Sequence, residues 1–325
     1  MIDNYQRNIN YLRISVTDRC NLRCVYCMPP EGVENTPHRE ILSLEEIARV
    51  VDAASDIGIS KIRITGGEPL VRKNIVDLFE SISANPQIKD ISITTNGVLF
   101  ADMAEDLKRA GLNRVNFSLD SLNPDIFRDI TRRGKFDDVW RGIQKALELE
   151  LHPVKLNVVA VRGVNDHEFA DFARLTRELP LHVRFIELMP IGECNPWAVE
   201  NFIAAEEILM KLQQGFGPLN TEVKVTGGGP AKYFSLPGAK GTIGFITAIS
   251  QHFCAACNRL RLTANGQLRP CLYGQQEFDL KTPLREGADR QELAILIAKA
   301  IRYKPSQHHM EEGWTDRRVM SQIGG

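Results

Sequence analysis

Six short β-branched runs, each followed by an amphipathic stretch, constrain this chain more than any other feature. They are YLRISVT (11–17), KIRIT (61–65), DISITTN (90–96), RVNFSLD (114–120), VKLNVVAV (154–161) and VRFIELM (183–189). Strands separated by helix-length segments predict a parallel sheet with crossover helices. The first crossover helix is signalled by a Ser43/Glu46 capping box, the apolar stripe Leu44, Ile47, Val51 and Ala54, and a stop at Gly58. Gly111 ends the segment ADMAEDLKRA (101–110) in the same way.

Alternate side chains on a strand point to opposite faces, so each run can be split in two. One face reads Leu12, Ile14, Val16, then Ile62, Ile64, then Ile91, Ile93, then Val115, Phe117, Leu119 and Leu156. The other reads Arg13, Ser15, Thr17, then Arg63, Thr65, then Ser92, Thr94, Asn96, then Asn116, Ser118, Asp120, and Lys155, Asn157. A closed eight-stranded barrel fills its interior with branched apolar side chains. A polar, basic inner face on six strands instead predicts an incomplete, open parallel β/α barrel whose lumen is the binding site. An antiparallel sheet with one wet face is the alternative, and the long helical crossovers argue against it.

Beyond Met189 the pattern lapses into PIGECNPW, a helix near 204–214 and a glycine-rich GGGP turn (227–230), followed by one clear strand, GTIGFITA (241–248). The expected organisation is a core barrel over 1–218 and a smaller C-terminal domain over 219–325. With 40 Lys and Arg against 41 Asp and Glu, nothing global attracts nucleic acid or a membrane, so an anionic ligand needs a local basic pocket. No apolar run reaches membrane-spanning length and MIDNYQRNINYLRIS lacks the apolar core of a signal peptide, so a cytoplasmic location is expected.

In such a chain, seven cysteines point to metal ligands or reactive thiols rather than disulfides. Six form two triads, Cys20/Cys24/Cys27 and Cys254/Cys257/Cys271, and Cys194 stands alone as an expected buried bystander. DRCNLRCVYC (18–27) places CxxxCxxC directly after the first strand. Three thiolates on a cubane 4Fe-4S cluster leave one iron open for an exchangeable ligand. A zinc site would need a fourth Cys or His close by, and His38 is the next candidate. GGEP (66–69) follows the second strand, where bare backbone can approach a ligand closely. Taken alone, the second triad suits a structural zinc knot or a second cluster equally. Arg259 and Arg261 within it share one face of an extended stretch, where planar forks suit phosphate or a purine edge and tilt the balance toward a cluster, although two arginines taken alone are usually a solvated charge pair.

The CxxxCxxC loop, with Tyr26 before its last cysteine, and the GGEP turn resemble those of the radical S-adenosylmethionine superfamily. With the second triad, CNRLRL and the terminal IGG, the chain from about Asn10 to Gly325 resembles the GTP 3',8-cyclase family of molybdenum cofactor biosynthesis. That resemblance implies two 4Fe-4S clusters, the first on Cys20, Cys24 and Cys27 and the second on Cys254, Cys257 and Cys271. It implies S-adenosylmethionine contacts at Tyr26, Gly67, Ser118 and Met189, and GTP contacts at Arg13, Arg63, Thr94, Lys155, Arg259 and Arg261. Gly324 and Gly325 would reach the lumen as catalytic residues. The implied reaction takes hydrogen from C3' of GTP and joins C3' to C8 of guanine. An electron donor, a homodimer partner and the next enzyme of the pathway are the implied macromolecular partners.

Overall fold

The structure is a computed structural model that describes residues 1–34, 36–191, 195–221, 223, 225–226, 229–308 and 318–323. All six anticipated strands form: β1 (Tyr11–Ser15), β2 (Lys61–Thr65), β3 (Asp90–Thr95), β4 (Arg114–Ser118), β5 (Val154–Ala160) and β6 (Leu181–Glu187). They pair in parallel and in sequence order, with Arg13 beside Arg63, Ile93 beside Val115 and Leu156 beside Val183. Between them run α1 (Leu44–Asp56), α2 (Ile75–Ser83), α3 (Phe100–Arg109), α4 (Pro124–Thr131), α5 (Phe136–Glu148) and α6 (Phe169–Glu178). The Ser43/Glu46 capping box is present on α1, and Gly58 and Gly111 adopt positive φ just beyond α1 and α3.

The helix-facing residues of the strands form the core. Leu12, Ile14, Ile62, Ile64, Ile93, Val115, Phe117 and Leu156 are all buried in one continuous apolar cluster with the inner faces of the helices. The polar face of the same strands turns away from that cluster, because a strand cannot send neighbouring side chains to the same side.

The C-terminal segment differs from the single strand expected there. It supplies β7 (Lys232–Phe234), β8 (Thr242–Ile246), β9 (Arg259–Leu262), β10 (Gln267–Arg269) and β11 (Phe278–Asp279), and these extend the same sheet in the order β11-β10-β9-β1-β2-β3-β4-β5-β6-β8-β7. β9 lies parallel to β1 and β8 parallel to β6, so both flanks of the six-stranded arc come from the C-terminal third of the chain. The two ends of the sheet do not pair among the described residues, which leaves the barrel open.

Packing explains the flanking. Phe185 on β6 sits 5.0 Å from the Phe169 ring and 5.9 Å from Phe245 on β8, so one aromatic cluster clamps α6, β6 and β8 together. Emptying such a site by a Phe→Ala change costs about 3–5 kcal/mol. At the other flank, α10 (Arg290–Arg302), with its own Asp289/Glu292 capping box, packs on α1, and Arg290 Nε bonds Asp56 at 2.6 Å. α7 (Asn195–Glu200), α8 (Ala205–Phe216) and α9 (Lys281–Arg285) complete the helices. Among the described residues, no helix is long and apolar enough to cross a membrane.

Candidate active site

One large cavity occupies the lumen, and both cysteine triads open onto it. All six thiols are partly buried, with no disulfide among them. The triads stand at opposite ends of the strands. Cys20, Cys24 and Cys27 follow the C-terminal end of β1. Cys257 lies two residues before β9, whose first residue, Arg259, is level with Tyr11 at the start of β1. Cys271 comes to the same end, because β10 runs antiparallel to β9. Five residues of β1 span about 13 Å at parallel-strand rise, so a ligand touching both triads must lie along the polar face.

The first loop is held by backbone bonds to the end of α4, from Arg23 N to Thr131 O and from Val25 N to Ile130 O, both 3.0 Å. Arg132 adds a clamp by donating to the carbonyls of Arg23 and Met28, each at 3.0 Å. Two buried carboxylates fasten this end of the barrel. Asp120 accepts from the Tyr26 hydroxyl at 2.6 Å and from Val159 N at 2.8 Å. Burial pushes its carboxyl up to about 6, against the pull of these two bonds. Glu68 of GGEP accepts from Thr95 Oγ1 (2.7 Å), Asn96 N (2.7 Å) and Leu70 N (3.0 Å), and burial pushes it up to about 7.

The GGEP glycines have a structural cause besides ligand approach. A Cβ on Gly67 would stand 2.2 Å from the Arg19 carbonyl oxygen, and one on Gly66, whose φ is +156°, 2.6 Å from that of Thr17. The turn lies directly on the stem of the cysteine loop, with Gly67 N bonded to Thr17 O and Glu68 N to Arg19 O.

The second triad rests on cations. Lys304, buried at the end of α10, donates to Arg259 O at 2.8 Å and to Pro270 O at 2.7 Å, tying the two strands that carry the triad. Arg7 donates to Cys254 O at 2.9 Å while its Nε bonds Asp3 at 2.7 Å. The Arg259 guanidinium lies 5.0 Å from the Phe253 ring centroid. Burial would raise the Cys257 thiol, but Arg259 and Lys304 outweigh it and bring it down to about 6.

Between the triads the lumen is lined by arginines in lateral register, Arg261 on β9, Arg13 on β1 and Arg63 on β2. Burial depresses all three, helped at Arg13 by Arg261 and Arg63, at Arg63 by Arg184 and Arg114, which bring it to about 10, and at Arg261 by Arg259, which brings it to about 9. Guanidinium groups stay charged at such values, so the lumen holds concentrated positive charge in a chain whose net charge is only -1.

The cavity wall includes all six triad cysteines, Tyr26, Gly67, Ser118, Met189, Arg13, Arg63, Thr94, Arg259 and Arg261. Lys155 faces the same side of the sheet but stops short of that wall, donating to Thr226 O at 2.9 Å, 5.8 Å from the Tyr233 ring centroid. Burial and then Arg184 bring its pKa down to about 6. Gly324, Gly325 and Cys194 lie outside the described residues. The wall also includes Asn96 and Asp120 from the anticipated polar face, and Tyr11, Arg184, Glu187 and Lys304, which were not expected as site residues. Arg184 shares the alternation of its strand and was legible there. Lys304 comes from a distant helix end, and no local pattern announces it.

A partial parallel barrel with a three-cysteine loop after its first strand and a GGEP turn after its second defines a radical S-adenosylmethionine enzyme. The Radical SAM superfamily model matches residues 14–176, and the Molybdenum Cofactor Synthesis C model matches 181–310. Membership of that superfamily makes S-adenosylmethionine and an iron-sulfur cluster cofactors of this protein. The chain belongs to the GTP 3',8-cyclase family. It is 86% identical over 325 residues to the GTP 3',8-cyclase of Desulforamulus reducens and 59% identical to that of Pelotomaculum thermopropionicum, covering 100% of both chains in each case. Among solved structures, Streptococcus suis SuiB bound to S-adenosylmethionine shares the fold, with a TM-score of 0.61 at 15% identity over 89% of this chain and 68% of that one.

Proposed function

We infer that the protein converts GTP to 3',8-cyclo-7,8-dihydro-GTP, the first step of molybdenum cofactor biosynthesis. The observation that carries this reading is one cavity with a thiol triad at each end and a row of arginines between them. A triphosphate needs such a concentration of cations, and a radical reaction needs such an enclosure.

The donor sets fit iron-sulfur clusters. Each triad offers three thiols on one loop or strand pair, suited to a cubane that keeps one open iron. Among the described residues, no group of three or more His, Cys, Asp and Glu side chains is arranged to hold a single metal ion. A cubane asks for wider spacing, because each thiolate takes a different iron. Cys20, Cys24 and Cys27 would hold the first cluster, with Tyr26, Gly67, Ser118 and Met189 around S-adenosylmethionine. Cys254, Cys257 and Cys271 would hold a second 4Fe-4S cluster facing guanine. When bound, the first cluster and S-adenosylmethionine supply the 5'-deoxyadenosyl radical that takes hydrogen from C3' of GTP.

The chain's own part is placement. Arg13, Arg63, Thr94, Arg259 and Arg261 bind the nucleotide, while Lys155 acts on its phosphates from behind the wall. Asp120 holds Tyr26, and the Glu68 carboxylate ties the GGEP turn to the end of β3 while its backbone N–H bonds the cysteine stem. Gly324 and Gly325 would enter the lumen, a reading supported by Met320 and Ser321 on the cavity wall and by buried Ile323 just before them. The reading takes 1–218 as the cofactor-binding barrel and 219–325 as the part bearing the second cluster and tail. It takes the protein to be a cytoplasmic homodimer, served by a one-electron donor and followed by the next enzyme of the pathway.

The test is anaerobic reconstitution with iron and sulfide, then incubation with reductant, S-adenosylmethionine and each of the four nucleoside triphosphates. We expect a brown protein with two clusters, and 5'-deoxyadenosine with cyclic product from GTP alone. A colourless zinc protein, or equal turnover of all four nucleotides, would overturn the reading.

A further inference from the structure

We propose that the Tyr11 hydroxyl is a substrate contact that donates a hydrogen bond to a phosphate oxygen of the bound nucleoside triphosphate. This rests on the reading of the cavity as a GTP site. Tyr11 is the first residue of β1, 1% exposed, and part of the cavity wall. Its ring lies 5.4 Å from the Arg63 guanidinium, and its hydroxyl makes no hydrogen bond of normal geometry among the described residues. Ser92 stands close enough to act on the phenol, but its own hydroxyl is already engaged, donating to Ile62 O at 3.2 Å and accepting from Arg63 Nε at 3.2 Å.

A buried hydroxyl without a partner is costly, and phenylalanine would fill the same volume and keep the ring beside Arg63 without that penalty. The retained oxygen therefore points to a ligand that completes it. The charge around it selects the ligand's chemistry. Burial would raise the phenol, but Arg63, Arg13 and Arg114, with a smaller pull from Ser92, outweigh it and bring its pKa below the usual tyrosine range. Asp90, the acid on the same floor, is taken up by Arg114, with Arg114 Nε to Asp90 Oδ1 at 2.7 Å. A neutral donor amid three guanidinium groups suits an anionic acceptor, and the anionic part of GTP is its phosphate chain.

The experiment uses the reconstituted holoprotein and Y11F, with equilibrium binding of GTP and of guanosine to each. We expect Y11F to keep its full iron content and its affinity for guanosine. Its affinity for GTP should fall roughly ten- to a hundredfold, as for loss of a hydrogen bond to a charged acceptor. GTP affinity unchanged in Y11F would overturn the proposal. An equal loss for GTP and guanosine would also overturn it, by moving the contact to the nucleoside or to the scaffold. Wild-type holoprotein that failed to bind GTP would overturn both this proposal and the function reading, so the wild-type arm tells the two failures apart.

Discussion

The two cysteine loops each present three thiols to one cavity, yet two buried carboxylates, Asp120 and Glu68, act on the first while Arg259 and Lys304 act on the second. At the first, Cys24 is pushed well above the usual thiol range by burial, then by Cys27, Asp120 and Cys20, and Glu68 lies close enough to act on Cys20. At the second, Arg259 and Lys304 stabilise the Cys257 thiolate. The carboxylates of the first loop are fully committed to holding backbone and Tyr26 in place, so this end is built as a rigid socket. The cations at the second continue into the lumen as Arg261, Arg13 and Arg63. Protein charge there serves a thiolate cage and an anionic substrate together.

Removing one thiol from each end tests this division with the largest expected effect. Cys24→Ala should abolish 5'-deoxyadenosine formation, because two thiolates cannot hold the open-iron cluster. Cys271→Ala should lose cyclic product but keep uncoupled cleavage of S-adenosylmethionine. Chromatography of both products with iron counting reads the outcome, and full cyclisation in both variants would erase the distinction.

A glycine pair probes rigidity next. Gly67→Ala drives a Cβ to 2.2 Å from backbone at the first loop, whereas Gly274→Ala near the second brings one to 3.3 Å from the Cys271 side chain. We expect Gly67→Ala to lower thermal stability by several degrees and to cut cofactor cleavage at least tenfold, following the roughly 1–3 kcal/mol scale of such strain. Gly274→Ala should stay near wild type. Equal melting temperatures would show that the first loop is no stiffer than the second.

Substituting the basic end should separate nucleotide binding from cluster assembly. Arg259→Ala and Arg261→Ala are each expected to weaken GTP binding by about 1.5–3 kcal/mol with iron content unchanged. Calorimetric titration of GTP decides it, and unchanged affinity in both would return these arginines to a structural part.

The smallest effect concerns Lys155. Its pKa of about 6 leaves it mostly neutral at pH 7, and a bound triphosphate raises it, so GTP binding takes up a proton. Affinity is therefore greatest below pH 6 and declines as pH rises from 6 toward the bound-state pKa, by at most about tenfold per unit. Lys155→Met should flatten that slope while leaving the contribution of the phosphate's own titration. An identical pH profile in the variant would remove Lys155 from phosphate binding.

Much of this organisation was written in local pattern. The alternation of Arg13, Ser15 and Thr17 against Leu12, Ile14 and Val16 determined which face of β1 would be core, because the pleat sends neighbours to opposite sides. Cysteine spacing and the GGEP turn determined the first cofactor loop for a similar reason, since those constraints act within a few residues. Only the tertiary structure decided that RLRL is a parallel partner of β1, because nothing within that segment specifies a partner some 250 residues away. That one pairing sets the second triad at the opposite end from the first and aligns Arg261 with Arg13 and Arg63. The burial of the Tyr11 hydroxyl beside Arg63, Arg13 and Arg114 is likewise a consequence of long-range packing that no single segment of the chain contains.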